Sequence, residues 1–160
     1  MTVARTARVV ICSTSAAAGV YADRTGPVIV DWLTGRGYDV PAPVVVADGS
    51  AVGAALQAAF DERVHVILTS GGTGISPTDR TAEATAGLVD YQIPGLADAI
   101  RRSGLPHVPT SVLSRGVCGV RGNTLIVNLP GSSGGVKDGL GVLADVLEHA
   151  VDQLAGGDHS

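Results

Sequence analysis

VHVILTSGGTGISPTD, residues 64–79, joins an apolar run to a glycine-rich exit and a polar loop. Val64 to Thr69 is short and rich in β-branched and aliphatic residues, the pattern of a strand buried on both faces. It runs straight into Gly71-Gly72-Thr73-Gly74. Glycines there free the backbone for positive φ and let an anion approach N–H groups without Cβ interference. Thr69, Ser70 and Thr73 add hydroxyls, and a helix is expected from about Asp79 or Arg80, capped by Thr78 or Asp79. A strand, a glycine turn and a helix in that order are one unit of an α/β sheet.

The same alternation continues on both sides. Arg8 to Ser13 reads as a first strand, followed by an Ala/Gly-rich loop. A helix capped by Thr25, with Pro27 in its first turn, runs through Trp32 and Leu33 and stops near Gly35 and Gly37. Val44 to Ala47 is a strand ending at Asp48-Gly49, and Ser50 caps a helix to Phe60. Pro94 opens a helix ended by Gly104, with Arg101 and Arg102 on its solvated face. Ser114–Val120 and Thr124–Leu129 flank Arg121-Gly122-Asn123 as a hairpin. Ser132 or Ser133 caps the final helix, where Val142, Leu143, Val146, Leu147, Ala150, Val151 and Leu154 make one apolar stripe and His149 faces water. The whole predicts a three-layer α/β/α sandwich with a mostly parallel central sheet. A single domain of 160 residues is expected, its ordered core at about 6–155 and both ends frayed.

Composition narrows the function. Aliphatic and small residues dominate, with only 3% aromatic, and the formal net charge of −4 argues against nucleic acid or an anionic membrane as partner. Cys12 and Cys118 each sit in an apolar run and read as buried core thiols, and four scattered histidines lack zinc spacing. The N-terminus lacks the apolar region of a signal peptide, and no run is long enough to span a bilayer. A reduced, cytoplasmic protein is expected.

Chemistry concentrates where strands end, which is where ligands bind on open α/β sheets. The Gly71–Gly74 loop reads as an anion site, the alternative being a tight βα turn. Asp79 follows five residues after Gly74. A carboxylate beside a bound phosphate needs a cation between them, and magnesium suits carboxylates plus ligand phosphates; a helix cap is the alternative. Asp48 ends the preceding strand on the same rim, as a second carboxylate or as an Asp-Gly turn residue. Two carboxylates at one anion loop suggest metal-assisted phosphoryl or nucleotidyl transfer. Asn128-Leu129-Pro130-Gly131-Ser132 is either a strand end plus cap or a second polar loop, and Ser114-Arg115 offers a hydroxyl and a cation.

These segments, in this order, resemble the molybdopterin adenylyltransferases, the Mog/MoaB family that includes the gephyrin G domain. Ser13, Gly19, Tyr21, Asp23 and Gly26 fit the family's first segment, and Asp48 its acidic strand end. TSGGTGISPTDRTAEAT fits the hallmark that supplies Gly71, Gly72, Thr73, Gly74, Asp79, Thr81 and Glu83. IPGLADAIR, LSRG and LIVNLPGSSGGV fit the later motifs. The resemblance implies transfer of AMP from Mg-ATP to molybdopterin, releasing pyrophosphate, by a homotrimer. It implies Asp48 and Asp79 as catalytic carboxylates that position magnesium. Thr69, Ser70, Gly71, Gly72, Thr73 and Gly74 would hold phosphate, while Ser13, Ser114, Arg115, Asn128, Pro130, Gly131 and Ser132 would line the pterin and nucleotide pocket. Hand-over of product to a molybdenum insertase is implied too. A non-catalytic, MoaB-like molybdopterin-binding module and a hydrolase of another nucleotide are the competing expectations. The chain departs from the family at Ser13-Thr14-Ser15, where members commonly have Ser-Asp-Arg. That removes a charged contact, for which Ser15 or Arg24 is the nearest substitute.

Overall fold

A computed structural model describes residues 4–157. Its centre is a seven-stranded sheet. Strand β1 (Arg5–Cys12) pairs in parallel along one edge with β2 (Tyr38–Asp39) and β3 (Val44–Val46), and along the other with β4 (Val66–Ser70). β4 pairs in parallel with β7 (Thr124–Leu129). β7 is antiparallel to β6 (Cys118–Arg121), and β6 to β5 (Tyr91–Gln92), which completes the mostly parallel sheet expected from the alternation of elements.

The period of two along each central strand sorts its side chains between two cores. Val9 and Ile11 of β1, Val66 and Leu68 of β4, and Leu125 and Val127 of β7 face one helical layer. That layer holds α2 (Gly26–Gly35), α5 (Pro94–Arg102), α6 (Ser133–Ala144) and α7 (Leu147–Leu154), through Ile29, Leu33, Ile100, Leu140, Leu143 and Val151. Val10, Cys12, Ile67 and Ile126 point the other way. They meet Val52, Leu56 and Phe60 of α3 (Ala51–Asp61), with α4 (Thr81–Leu88) packed at the side. Each fully buried Leu or Ile contributes about 1.5–3 kcal/mol.

Several local expectations change. The segment after β1 is not only loop: Thr14–Ala17 forms a one-turn helix, α1, whose Ser13 cap accepts from Ala16 N–H at 3.2 Å. Thr25 and Ser50 precede α2 and α3 without capping them. Asp23 takes the first α2 amide instead, accepting from Gly26 N–H at 2.9 Å, while the Thr25 hydroxyl turns inward to Ser70. The stretch from Ser114 joins a strand only at Cys118, after a 3₁₀ turn over Pro109–Leu113, because Arg115 N–H is taken by Thr73 O at 2.7 Å. Arg101 is not a solvated residue: its guanidinium donates to Gly116 O at 3.0 Å, whereas Arg102 pairs with Asp98 on the surface.

The final helix is two. α6 begins at the Ser132 cap, and the chain then tightens at Asp145 and Val146, whose N–H groups reach back three residues before α7 starts. Leu143, Leu147 and Val151 stay buried across the break, so an apolar stripe carries no trace of it. His149 is exposed as expected. Arg5 is already in β1 and ion-paired with Asp152, earlier than the expected ordered start; the outermost expected frayed positions, 1–3 and 158–160, lie outside the described residues.

Candidate active site

Four strand exits meet at one rim: Cys12-Ser13 after β1, Asp48 after β3, Gly71 after β4 and Pro130 after β7. Their backbones are stitched together. Ser13 N–H donates to Val46 O at 2.9 Å, and Gly71 N–H to Leu129 O at 3.2 Å. Gly71 has φ +95°, and a Cβ there would run into the Cys12 carbonyl oxygen. Gly72 has φ +68°, and its missing Cβ would overlap Thr81 Oγ1 and stand 3.0 Å from Asp48 Oδ1. Both positions therefore require glycine for conformation and for space.

The loop divides the rim into two cavities. One, of about 390 Å³, lies over Gly71–Gly74, Asp79 and Ser114, with an apolar wall of Ile100, Val108 and Leu113. The other, of about 510 Å³, is polar and is lined by Ser13, Arg24, Asp48 and Ser70. Gly71, Gly131 and Ser132 border both. Gly131 is packed so close that a Cβ would stand 3.3 Å from Gly71 Cα. Ser70 holds this partition, accepting from Thr25 Oγ1 at 3.1 Å and donating to Pro130 O at 2.8 Å.

The two carboxylates stand in different settings. Asp48 N–H donates to Thr14 Oγ1 at 3.1 Å, so the residue that departs from the family pattern props this carboxylate. Asp48 Oδ1 is buried without a partner. Burial first, and the charge of Asp79 second, raise the Asp48 pKa above the usual carboxylate value, against a lowering contact from the Thr14 backbone. Asp79 is not a helix cap. Its Oδ2 accepts from Ser76 N–H at 3.2 Å and closes the loop on itself, while Arg80 precedes α4 with no side-chain cap. An orphaned carboxylate oxygen beside a second carboxylate fits a cation. Among the described residues no cluster of three or more His, Cys, Asp or Glu could hold one alone. A cation bound there would have to take the rest of its shell from ligand oxygens.

Three expected binding residues are not on a cavity wall. Asn128 is 3% exposed and Thr69 fully buried. Asn128 Nδ2 donates to Thr69 Oγ1 at 3.0 Å and to Thr85 Oγ1 at 3.1 Å, and its Oδ1 accepts from Val117 N–H at 3.0 Å. This buried network fixes the strand ends from behind. Arg115 is turned to the underside of the loop, against Gly74 O and Glu83. Ser13, Ser70, Gly71–Gly74, Ser114, Pro130, Gly131 and Ser132 do line the cavities. So does Arg24, while Ser15 lies outside both. Arg101 was missed because its sequence looks like a solvated helix face. Thr85 was missed as well, although Thr81 and Thr85 at a spacing of four mark a polar stripe on the buried face of α4. Cys12 lies under the site, its thiol pushed up to about 11 by burial, with the nearby Thr81 hydroxyl opposing and Asp48 adding to the rise.

The chain is similar over most of its length to known proteins. A solved structure of the molybdopterin biosynthesis Mog protein from Mycobacterium ulcerans is 64% identical, with a TM-score of 0.91 over 94% of this chain and 99% of that one. The molybdopterin adenylyltransferase of Escherichia coli K12 is 34% identical over 143 residues, covering 87% of this chain and 73% of that protein. The molybdenum cofactor biosynthesis bifunctional protein of Synechococcus elongatus is 38% identical over 154 residues, 96% of this chain. This chain spans 48% of that relative's length. Residues 8–149 match the family described as the probable molybdopterin binding domain, and the chain belongs to that family.

Proposed function

We propose that this protein is a molybdopterin adenylyltransferase of molybdenum cofactor synthesis, moving AMP from ATP to the terminal phosphate of molybdopterin. The observation that carries the reading is the pair of cavities with a shared glycine wall, Asp48 bordering one and Asp79 the other. Two chambers that meet at one point suit a reaction that brings two bulky substrates together. In the transfer, a molybdopterin phosphate oxygen bonds to the α-phosphorus of ATP. The bond from that phosphorus to the bridging oxygen breaks, and pyrophosphate leaves with the electron pair.

The residues divide this work. Amides of Gly72–Gly74 and the Thr73 hydroxyl would donate to phosphate oxygens, while the Gly71 N–H is held by Leu129 O. The apolar wall of Ile100, Val108 and Leu113 accepts a flat ring system, and Arg24 with Ser13 offers an anion a charged contact in the other chamber. Asp48 and Asp79 would hold magnesium, which supplies charge neutralisation for the phosphates when bound. Orientation of the two substrates is the main catalytic contribution of such a site. We further propose a homotrimer in the cytoplasm that hands its product to a molybdenum insertase. Among the described residues no helix is long and apolar enough to cross a membrane.

Purified protein given molybdopterin and Mg-ATP is expected to release pyrophosphate and form adenylyl-molybdopterin, and Asp79→Asn to stop turnover without loss of fold. Tight molybdopterin binding with no product would support the non-catalytic module instead. Phosphate release from nucleotides without any pterin would indicate a hydrolase. Light scattering that gave a stable monomer or dimer at micromolar concentration would exclude the trimer.

A further inference from the structure

Arg115 leaves the backbone beside Ser114, on the wall of the loop cavity, yet points away from both cavities. Each nitrogen of its side chain has an acceptor. Nε donates to Gly74 O at 2.9 Å, one terminal nitrogen to Asp79 O at 3.2 Å, and the other to the Glu83 carboxylate. Its backbone N–H reaches Thr73 O at 2.7 Å. These contacts bracket one loop: Thr73 and Gly74 at its entry, Asp79 at its exit, Glu83 in the first turn of α4. The planar fork of a guanidinium can serve three acceptors in fixed directions, which an ammonium cannot. The pairing also neutralises the charge that a ligand phosphate would need, and it holds the Glu83 carboxyl below its usual value.

Within the loop, Asp79 closes the turn with its own groups. Its N–H donates to Ser76 O at 3.0 Å and its Oδ2 accepts from Ser76 N–H. Moving the Asp79 backbone would therefore move its carboxylate. We propose that Arg115 is a positioning residue for Asp79, clamping residues 73–79 into one shape, and not a group that grips a ligand. Its catalytic consequence rests on the adenylyl-transfer reading; the rigidity it gives the loop does not.

Arg115→Lys, Arg115→Ala and Glu83→Gln separate the roles in the full chain. Hydrogen exchange of the Ser76 and Asp79 amides, which bond to each other's residues within the loop, is expected to quicken about tenfold in Arg115→Lys, as the two carbonyl contacts are lost, with the sheet unaffected. Turnover is expected to fall about 100-fold in Arg115→Ala, the scale of a misplaced catalytic group. Lysine does not rescue it, and KM for ATP and molybdopterin stays within about threefold. Glu83→Gln shifts both readouts the same way. Unchanged exchange at Ser76 and Asp79 in Arg115→Lys would overturn the clamp, as would a raised KM in Arg115→Ala that lysine restores. Should Arg115→Ala not fold, the lysine variant carries the test. Wild-type protein without turnover would count against the function, and loop exchange would still decide the clamp.

Discussion

Replacing Gly72 with alanine is expected to cost about 2–5 kcal/mol of stability. The figure has two parts. Gly72 has φ +68°, where a Cβ costs about 1–2 kcal/mol. The new methyl would also overlap Thr81 Oγ1 and press on Asp48 Oδ1 at 3.0 Å, and overpacking of a close-fitted site costs about 1–3 kcal/mol. Against a domain stability of about 5–15 kcal/mol this is a large share. At about 2–4 °C per kcal/mol for a chain of this size, Tm should drop by about 4–20 °C. Urea unfolding followed by circular dichroism measures the loss. The double variant Gly72→Ala/Thr81→Ala separates the parts, because it removes the overlapping hydroxyl and leaves the backbone share with the milder contacts at Asp48 Oδ1 and the Cβ of residue 81. It should lose less than the two single variants added together. A Gly72→Ala loss below about 1 kcal/mol, or strict additivity in the double variant, would show that space and φ at this glycine do not matter as argued.

Asp48→Asn is expected to raise Tm near pH 7 while abolishing turnover. Burial and then the charge of Asp79 raise the pKa of Asp48, so its ionisation opposes folding. The stability it contributes is complete below the unfolded aspartate pKa and is lost as pH rises through its folded value. The advantage of the variant should thus vanish in acid, and equal Tm values near neutral pH would contradict the cause assigned. Asn128→Ala should cost about 1–3 kcal/mol through the orphaned Val117 N–H alone, with nucleotide affinity retained because Asn128 lines neither cavity. A large loss of affinity in a fully folded Asn128→Ala would place that side chain at the ligand. Cys12 and Cys118, with thiols raised to about 11 and about 12 chiefly by burial, should resist a thiol-specific reagent at pH 8 until the chain is unfolded.

The sequence reveals the sheet well because its central strands are buried on both faces. VVIC, VILT and LIVNL are short and mostly β-branched or aliphatic, the pattern of interior strands. The rim was legible for the same reason: a ligand loop must interrupt such runs with glycine, and Gly71 and Gly131 do so. Helix caps were less legible. Thr25 and Ser50 have the right chemistry in the right place, but Thr25 is drawn to Ser70, a partner 45 residues away. Asn128, Thr69 and Arg115 have ligand-binding side chains that the fold uses on itself. Only the third dimension separates an Asn aimed into a cavity from one aimed at Thr69. The break between α6 and α7 was invisible because both sides of it bury the same stripe.

The thin wall of Gly71, Gly131 and Ser132 has a kinetic corollary. Each room keeps its own lining, so a guest in one does not need to depart before a guest enters the other. On the proposed adenylyl transfer, two reactants can be resident together and touch across the wall's edge, and no group of the protein has to carry AMP between them. Initial-rate plots should therefore give intersecting lines, the mark of a ternary complex, and not the parallel lines of a shuttle.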